Sequence, residues 1–309
     1  MLSGKSVGII GARGIGKIYL REILDLGAKK IFILGKSYQN SLRIKSELDD
    51  GLTSKVTACK SLKELKKKET DLICICTPTN THLTFIREFL KTKTKLLVEK
   101  PLFDIKKFSL REIQNKTNLV FNNYSNKVIT NLPLIEYTNS LKSKFKITQS
   151  KIKYINFKYY TSGKNTYENI AIDLLPHSLS FLLSFFKVKT KDIIINYRKM
   201  RKDIWTISFS FHKVECLFDF NQNINRKKSI LKVSLNNQTF QRIQKKNTSR
   251  HIKNNEFIKC GKLIKKIENP MSKSIKRNLK KLIKKKVSKK DVELQKSLIL
   301  LSAFLLNKK

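Results

Sequence analysis

Five short apolar runs, rich in valine, isoleucine and leucine, punctuate the first 122 residues at 6–10, 30–34, 71–76, 95–98 and 119–122. Between them lie stretches with helical spacing of apolar residues, at 15–26, 38–49, 61–68, 80–91 and 104–115. No other feature restricts the fold as much. A strand that is apolar along its length needs cover on both faces, and helices between successive strands supply it. The alternation therefore predicts a doubly wound parallel sheet with right-handed crossovers. Ligands of such sheets bind at the carboxyl ends of the strands, so the residues that follow each run are the candidates for chemistry.

Past Asn123 the pattern changes. A helical stretch at 126–145 leads to KIKYINFKYYT (151–161), which alternates as a half-exposed strand. A helix over about 168–186 precedes strand-like runs at 192–198, 204–211, 214–220, 229–235 and 238–243. Helices at about 272–286 and 290–306 end the chain. The reading is an α/β protein: a Rossmann-type doubly wound parallel sheet over 1–122, then an α+β domain over 123–309. The second domain holds an open, mostly antiparallel sheet, and the last helix is free to pack back on the first domain. At 309 residues, 40% of them hydrophobic, the chain can fill two cores.

Residues 7–18 read VGIIGARGIGKI: a strand enters a glycine-rich turn that opens a helix. This is what a dinucleotide pyrophosphate requires, because the helix start offers unpaired N–H groups and a partial positive charge. Gly11 and Gly16 take the first and third places of G-x-G-x-x-G, with Arg13 and Gly14 around the second and Ile15 opening the helix. Arg13 is positioned to pair with the pyrophosphate. The second run ends IFILGKSYQN, with Lys36 and Ser37 at its tip and no carboxylate. A carboxylate there would hold a ribose 2′-hydroxyl, whereas an ammonium and a hydroxyl suit a 2′-phosphate, so NADP is expected over NAD.

Two further run ends carry signals: ICICTPTNTH (73–82) and LLVEKPL (96–102). A glycine turn, then TPTNTH, then EKP resembles the Gfo/Idh/MocA family of glucose–fructose oxidoreductase and inositol dehydrogenase-like enzymes. That resemblance implies an NAD(P)-dependent oxidoreductase acting on a carbinol or carbonyl carbon of a sugar, cyclitol or sugar nucleotide. It also implies that Lys100 reaches the nicotinamide edge, and that Pro101 fixes the bend, often through a cis peptide. By the same implication Glu99 holds the turn or contacts the nicotinamide ribose, and Thr77, Pro78 and His82 form the loop under the nicotinamide. The family carries Asp-x-x-x-His on a helix of its second domain, facing the nicotinamide. Asp173 and His177 in ENIAIDLLPHSLS match it, four apart on one predicted helix face. His177 is then the general base, Asp173 its orienter or a substrate contact, and Lys100 a donor to the reacting oxygen. Glu168 and Asn169 replace the usual glycine pair, and Pro176 should kink the helix or mark its first turn. Asn123 and Tyr124, taken as lying just past the sixth strand, match a position that lines the substrate pocket.

Lys and Arg exceed Asp and Glu by 66 to 23, a net charge of +43. The excess is mostly lysine spread over the whole length, as a coding bias toward A and T would produce, and is densest over 241–290. No zinc-finger spacing, ribonucleoprotein strand or Gly-x-x-Gly clamp accompanies it, so no specific nucleic-acid partner is expected. Five cysteines with no metal spacing read as reduced core thiols. The apolar stretch at the amino end is too short for a signal peptide, and SLILLSAFLL (297–306) is about half a membrane span. These features point to a cytoplasmic protein without metal or membrane contact. The expected partner, besides a sugar-like substrate, is a second copy of the chain through the open sheet. Two other classes stand beside this reading: a catalytically silent cofactor-binding or regulatory protein of the same fold, and a polyanion-binding protein. His212 and His251 have no evident partner in the sequence.

Overall fold

The computed structural model describes residues 1–245 and 255–307. The chain divides into two compact units. The first comprises Met1–Asp104, Asn115–Asn131 and Ser274–Glu293; the second comprises Ile105–Gln114, Leu132–Lys273 and the residues from Leu294 on.

The first unit contains β1 (Ser6–Ile10), α1 (Ile15–Asp25), β2 (Lys30–Leu34), α2 (Tyr38–Ser46), α3 (Asp50–Thr53), β3 (Val56–Ala58), α4 (Leu62–Lys67), β4 (Leu72–Ile75), α5 (Thr79–Leu90) and β5 (Lys95–Glu99). After them come α6 (Leu110–Asn123) and β6 (Val128–Asn131). All six strands run parallel in the order β3-β2-β1-β4-β5-β6. Every residue of β4 is buried, as are the last four of β1, β2 and β5, which is why these runs are apolar throughout. Gly8 in β1 leaves room for Ile73 and Leu65, whose methyl carbons lie 2.3 and 3.2 Å from where its Cβ would stand.

The run at 119–122 is not a strand. Ser109 and Glu112 form a capping box that starts α6: the Ser109 N–H donates to Oε2 of Glu112, and the Glu112 N–H to the serine hydroxyl. Ile113, Thr117, Val120 and Phe121 then bury one helical face. Four apolar residues in a row suit either element, and the spacing of their neighbours decides. The sixth strand is therefore 128–131, inside the stretch read as helix. The parallel sheet extends past residue 122, to Asn131.

The second unit begins with α7 (Pro133–Phe145), β7 (Tyr154–Thr161) and α8 (Glu168–Phe185). Strands β8 (Ile193–Met200), β9 (Ile204–Phe211), β10 (Val214–Gln222), β11 (Ile230–Leu235), β12 (Gln238–Lys245), β13 (Asn255–Cys260) and β14 (Leu263–Ile267) follow. Two helices, α9 (Pro270–Ile283) and α10 (Lys289–Asn307), come last. The eight strands form one sheet, β14-β13-β12-β11-β7-β10-β9-β8, antiparallel except where β10 pairs with β7. Alternation sets its two faces. Phe157, Trp205, Phe209, Phe218 and Phe220 are buried, with Trp205 stacked on Phe220 and Phe157 against Phe181 of α8. Asn156, Lys158, Thr206, Ser208 and Asp219 stand half-exposed on the other face.

Strands β13 and β14 are additions to the sequence-based reading. Ser274–Ile283 of α9 and Lys289–Glu293 of α10 both belong to the first unit. Pro176 neither starts nor ends α8, which continues through it. Among the described residues no helix is long and apolar enough to cross a membrane, and no group of three metal-ligating side chains exists. All five cysteines are free, four of them buried, and burial pushes the Cys59 thiol up to about 11. His251 lies outside the described residues.

Candidate active site

At the carboxyl end of β1 the chain turns through Gly11, at φ +85°, and Gly14, at φ +51°, into α1. A Cβ on Gly11 would stand 2.8 Å from the Cys76 carbonyl oxygen, and one on Gly16 only 2.1 Å from that of Gly11. Both positions are closed to side chains, so the turn packs directly on the end of β4. Gly14 is the N-cap of α1; it faces open space and offers no side-chain cap. No acidic residue stands in the first turn, which Ile15 opens. A cradle of this kind accepts an anion at the helix start. Arg13 is exposed beside it.

Behind Arg13 a hollow of about 270 Å³ is lined by Gly14, Lys17, Asn40, Arg43, Ile44 and Glu47. Glu47 pairs with Lys17 and, at 3.4 Å, with Arg43. The hydrogen bond from Lys17 holds its carboxyl below the usual range. Three cations against one carboxylate leave the hollow positive. Lys17 follows the last glycine of the motif and Arg43 lies within α2, so neither holds a motif position or a strand tip, the two signals used in the sequence. Lys36 and Ser37 are exposed at the tip of β2, and the Ser37 hydroxyl caps α2 by accepting the Asn40 N–H at 3.3 Å.

The TPTNTH and EKP segments meet through one ring. His82, 1% exposed, places Nε2 2.7 Å from the Thr77 carbonyl and Nδ1 2.9 Å from that of Pro101. Burial lowers its pKa below the usual imidazole value, although both carbonyls favour the charged form. In the neutral ring one nitrogen carries a proton, so one of the two carbonyls is satisfied at a time. His82 thus ties two loops together. Thr77 is half-buried and accepts the Thr81 hydroxyl proton at 2.7 Å, and Pro78 is the exposed N-cap of α5.

The Lys100–Pro101 peptide is cis. Pro101 is buried and Lys100 half-buried. Glu99 turns inward, 6% exposed, and its Oε1 accepts from the Tyr19 hydroxyl and from Asn131 Nδ2 at 2.9 Å. Burial, then the neighbouring Glu99 carboxylate, pushes the Tyr19 phenol well above its ordinary value. Oδ1 of Asn131 in turn accepts from Ser274 at 2.7 Å and Asn278 at 3.2 Å, both on α9. Glu99 therefore fixes the turn that carries Lys100, through a buried polar chain that reaches α9.

The substrate positions move. Asn123 ends α6, exposed, and Tyr124 follows it, so both precede β6 and lie at its amino end. Asn131 occupies the carboxyl end. The sixth strand lies nine residues later than the apolar run suggested, so Asn123 and Tyr124 do not stand just past it.

In the second unit Asp173 and His177 share one face of α8, both half-buried. The His177 ring sits edge-on to Tyr159, centroids 5.2 Å apart. Asp173 Oδ2 accepts from Gln222 Nε2 at 2.6 Å and from Asn165 Nδ2 at 3.4 Å.

Residues 5–123 match the model of an oxidoreductase family with an NAD-binding Rossmann fold, Gfo/Idh/MocA. A search of curated proteins finds no match. Among solved structures, a Gfo/Idh/MocA family oxidoreductase from Vibrio cholerae superposes with a TM-score of 0.71 at 12% identity, over 98% of this chain and 97% of its own. The WlbA (WbpB) dehydrogenase from Thermus thermophilus, in complex with NAD and UDP-GlcNAcA, has a TM-score of 0.67 at 13% identity, over 99% and 95%. KijD10, a 3-ketoreductase from Actinomadura kijaniata in complex with NADP and TDP-benzene, has a TM-score of 0.66 at 12% identity, over 96% and 95%. At these identities the likeness is one of fold, and it covers both units.

Proposed function

We propose that this chain is an NAD(P)-dependent oxidoreductase that moves a hydride between the nicotinamide and a carbinol or carbonyl carbon of a sugar, cyclitol or sugar nucleotide. The observation that carries the reading is the coupling of three loops at the carboxyl ends of β1, β4 and β5. Gly11 packs on Cys76 and Thr77, His82 joins Thr77 to Pro101, and Glu99 anchors the turn bearing Lys100. The WlbA and KijD10 complexes, with a nucleotide sugar in one and a nucleotide analogue in the other, support the substrate class.

Gly11, Arg13, Gly14, Ile15 and Gly16 would hold the pyrophosphate, Thr77 and Pro78 the nicotinamide half, and Lys36 and Ser37 a 2′-phosphate. The positive hollow beside Arg13 and Arg43 favours the extra phosphate, hence NADP over NAD. The bound cofactor supplies or accepts the hydride. Lys100 donates a hydrogen bond to the reacting oxygen and stabilises its alkoxide character. His177 takes the hydroxyl proton, or returns it in the reducing direction, with Asp173 orienting it. The free cysteines agree with a reducing compartment such as the cytoplasm. The half-exposed face of the second sheet is the proposed surface for a second copy.

Fluorescence titration with NADPH and NADH, followed by turnover on a panel of sugars and nucleotide sugars, tests this. NADPH is expected to bind more tightly. Lys100→Ala and His177→Ala should each lose about 10²–10⁴ in turnover while retaining cofactor affinity. Turnover near the parent rate in either variant would sink the assignment.

A further inference from the structure

The Asp173 carboxylate is gripped by two neutral amides from outside its own helix: Gln222, the last residue of β10, and Asn165, between β7 and α8. A carboxylate only accepts, so Gln222 must turn its NH₂ toward Asp173, and its carbonyl oxygen is forced to the opposite side. There Gln222 Oε1 is buried and has no hydrogen-bond partner among the described residues. What it meets is bare backbone. A Cβ on Gly163 would stand 2.9 Å from both Cδ and Oε1 of Gln222. The glutamine, 4% exposed, is thus wedged between Asp173 and the one residue type that leaves it room. An unpaired buried carbonyl is an unfavourable feature, and a leucine would fill the same space without it. The amide is explained by what its other end does.

We infer that Gln222 and Asn165 are positioning residues for Asp173, with Gly163 as the stop that sets the Gln222 carboxamide. Holding Oδ2 from two directions fixes the plane of the carboxylate and with it the aim of Oδ1. A neutral donor does this without cancelling the negative charge. An arginine or lysine at 222 would neutralise the group that has to orient an imidazole one helical turn away or receive a substrate hydroxyl. The catalytic consequence rests on the proposed hydride-transfer role of His177 and Asp173; the structural coupling does not.

The test uses the full chain, labelled with ¹³C at the aspartate carboxyl carbons. There are ten aspartates, and loss of one signal in Asp173→Asn assigns the resonance of interest. In Gly163→Ala every polar group remains and only the carboxamide is displaced. The Asp173 resonance should move there and in Gln222→Leu, with the other nine superposed on the parent. Where a turnover assay exists, kcat should fall by up to about 10²-fold, with the KM for the nicotinamide cofactor unchanged. An Asp173 resonance that stays in place in both variants overturns the inference, as does a spectrum in which all ten move together. Should Gln222→Leu fail to fold, Gly163→Ala decides alone. Movement of the resonance in a protein that transfers no hydride would uphold the coupling and refute the catalytic reading.

Discussion

His82 couples two loops through one imidazole, and that makes its protonation a stability matter. Burial depresses its pKa in the folded chain, while the unfolded chain titrates near 6.5. Below that value the unfolded state binds more protons than the folded one, so stability present at neutral pH is lost as pH falls. One group contributes at most about 1.4 kcal/mol per pH unit to this slope. The expected outcome is faster amide exchange in β4 and β5 at pH 5.5 than at pH 7.5, after correction for intrinsic rates. His82→Gln should flatten that dependence; an unchanged slope would remove His82 as its source. At this scale the sequence is readable where a residue belongs to a local motif: Gly11, Gly16, Glu99 and Lys100 stand in recognisable strings. Gln222 and Asn131 belong to none. An amide at the end of a strand becomes meaningful only when a partner 49 or 143 residues away arrives beside it.

Among elements, β12, β13 and the turn before α9 are joined by a buried charge. Arg242 grips Glu256 with two hydrogen bonds of 2.8 and 2.9 Å, and Gln244 and Asn269 add donors to the same carboxylate. The Glu256 side chain is fully buried. Breaking such a pair on one side strands a charge, which costs about 3–5 kcal/mol, whereas replacing both partners with apolar groups of similar volume is often neutral. Arg242→Met should therefore destabilise the second unit strongly, and Arg242→Met with Glu256→Leu should recover most of the loss. Trp205, the only tryptophan, lies buried in that sheet, so its fluorescence in a urea titration reports this unit. A double variant as unstable as the single one would refute the argument. Periodicity also fails at element scale in one informative place. Residues 119–122 look like a strand in isolation, yet the Ser109–Glu112 cap and the burial of Ile113 and Thr117 carry the helix through them.

For the molecule as a whole, the charge of +43 spreads over lysines that the fold puts to local use. A cavity of about 580 Å³ at the amino ends of β1, β4 and β5 shows this, with Lys5, Lys66 and Lys95 on its wall. Lys5 pairs with Asp71 at 2.8 Å, Lys66 with Glu88 at 2.9 Å, and Lys95 caps α9 through the Leu282 carbonyl at 2.5 Å. DNA affinity should then be non-specific, falling about 10³–10⁵-fold between 50 and 200 mM salt if six to ten phosphates are contacted. A filter-binding series on two unrelated duplexes checks it; a strong preference for one of them would revive the polyanion-binding class.

The sequence by itself determined the parallel sheet, the glycine turn and the EKP and Asp-x-x-x-His elements. The sheet and the turn depend on periodicity and on glycine sterics, which local structure imposes directly, whereas the EKP and Asp-x-x-x-His elements were legible as strings through the family resemblance. Only the tertiary structure decided which asparagine ends the sixth strand, what the histidine of TPTNTH binds, and which amides hold Asp173. Each of those is settled by a polar partner that needs pairing once both groups leave water, and the chain brings such partners together only by folding.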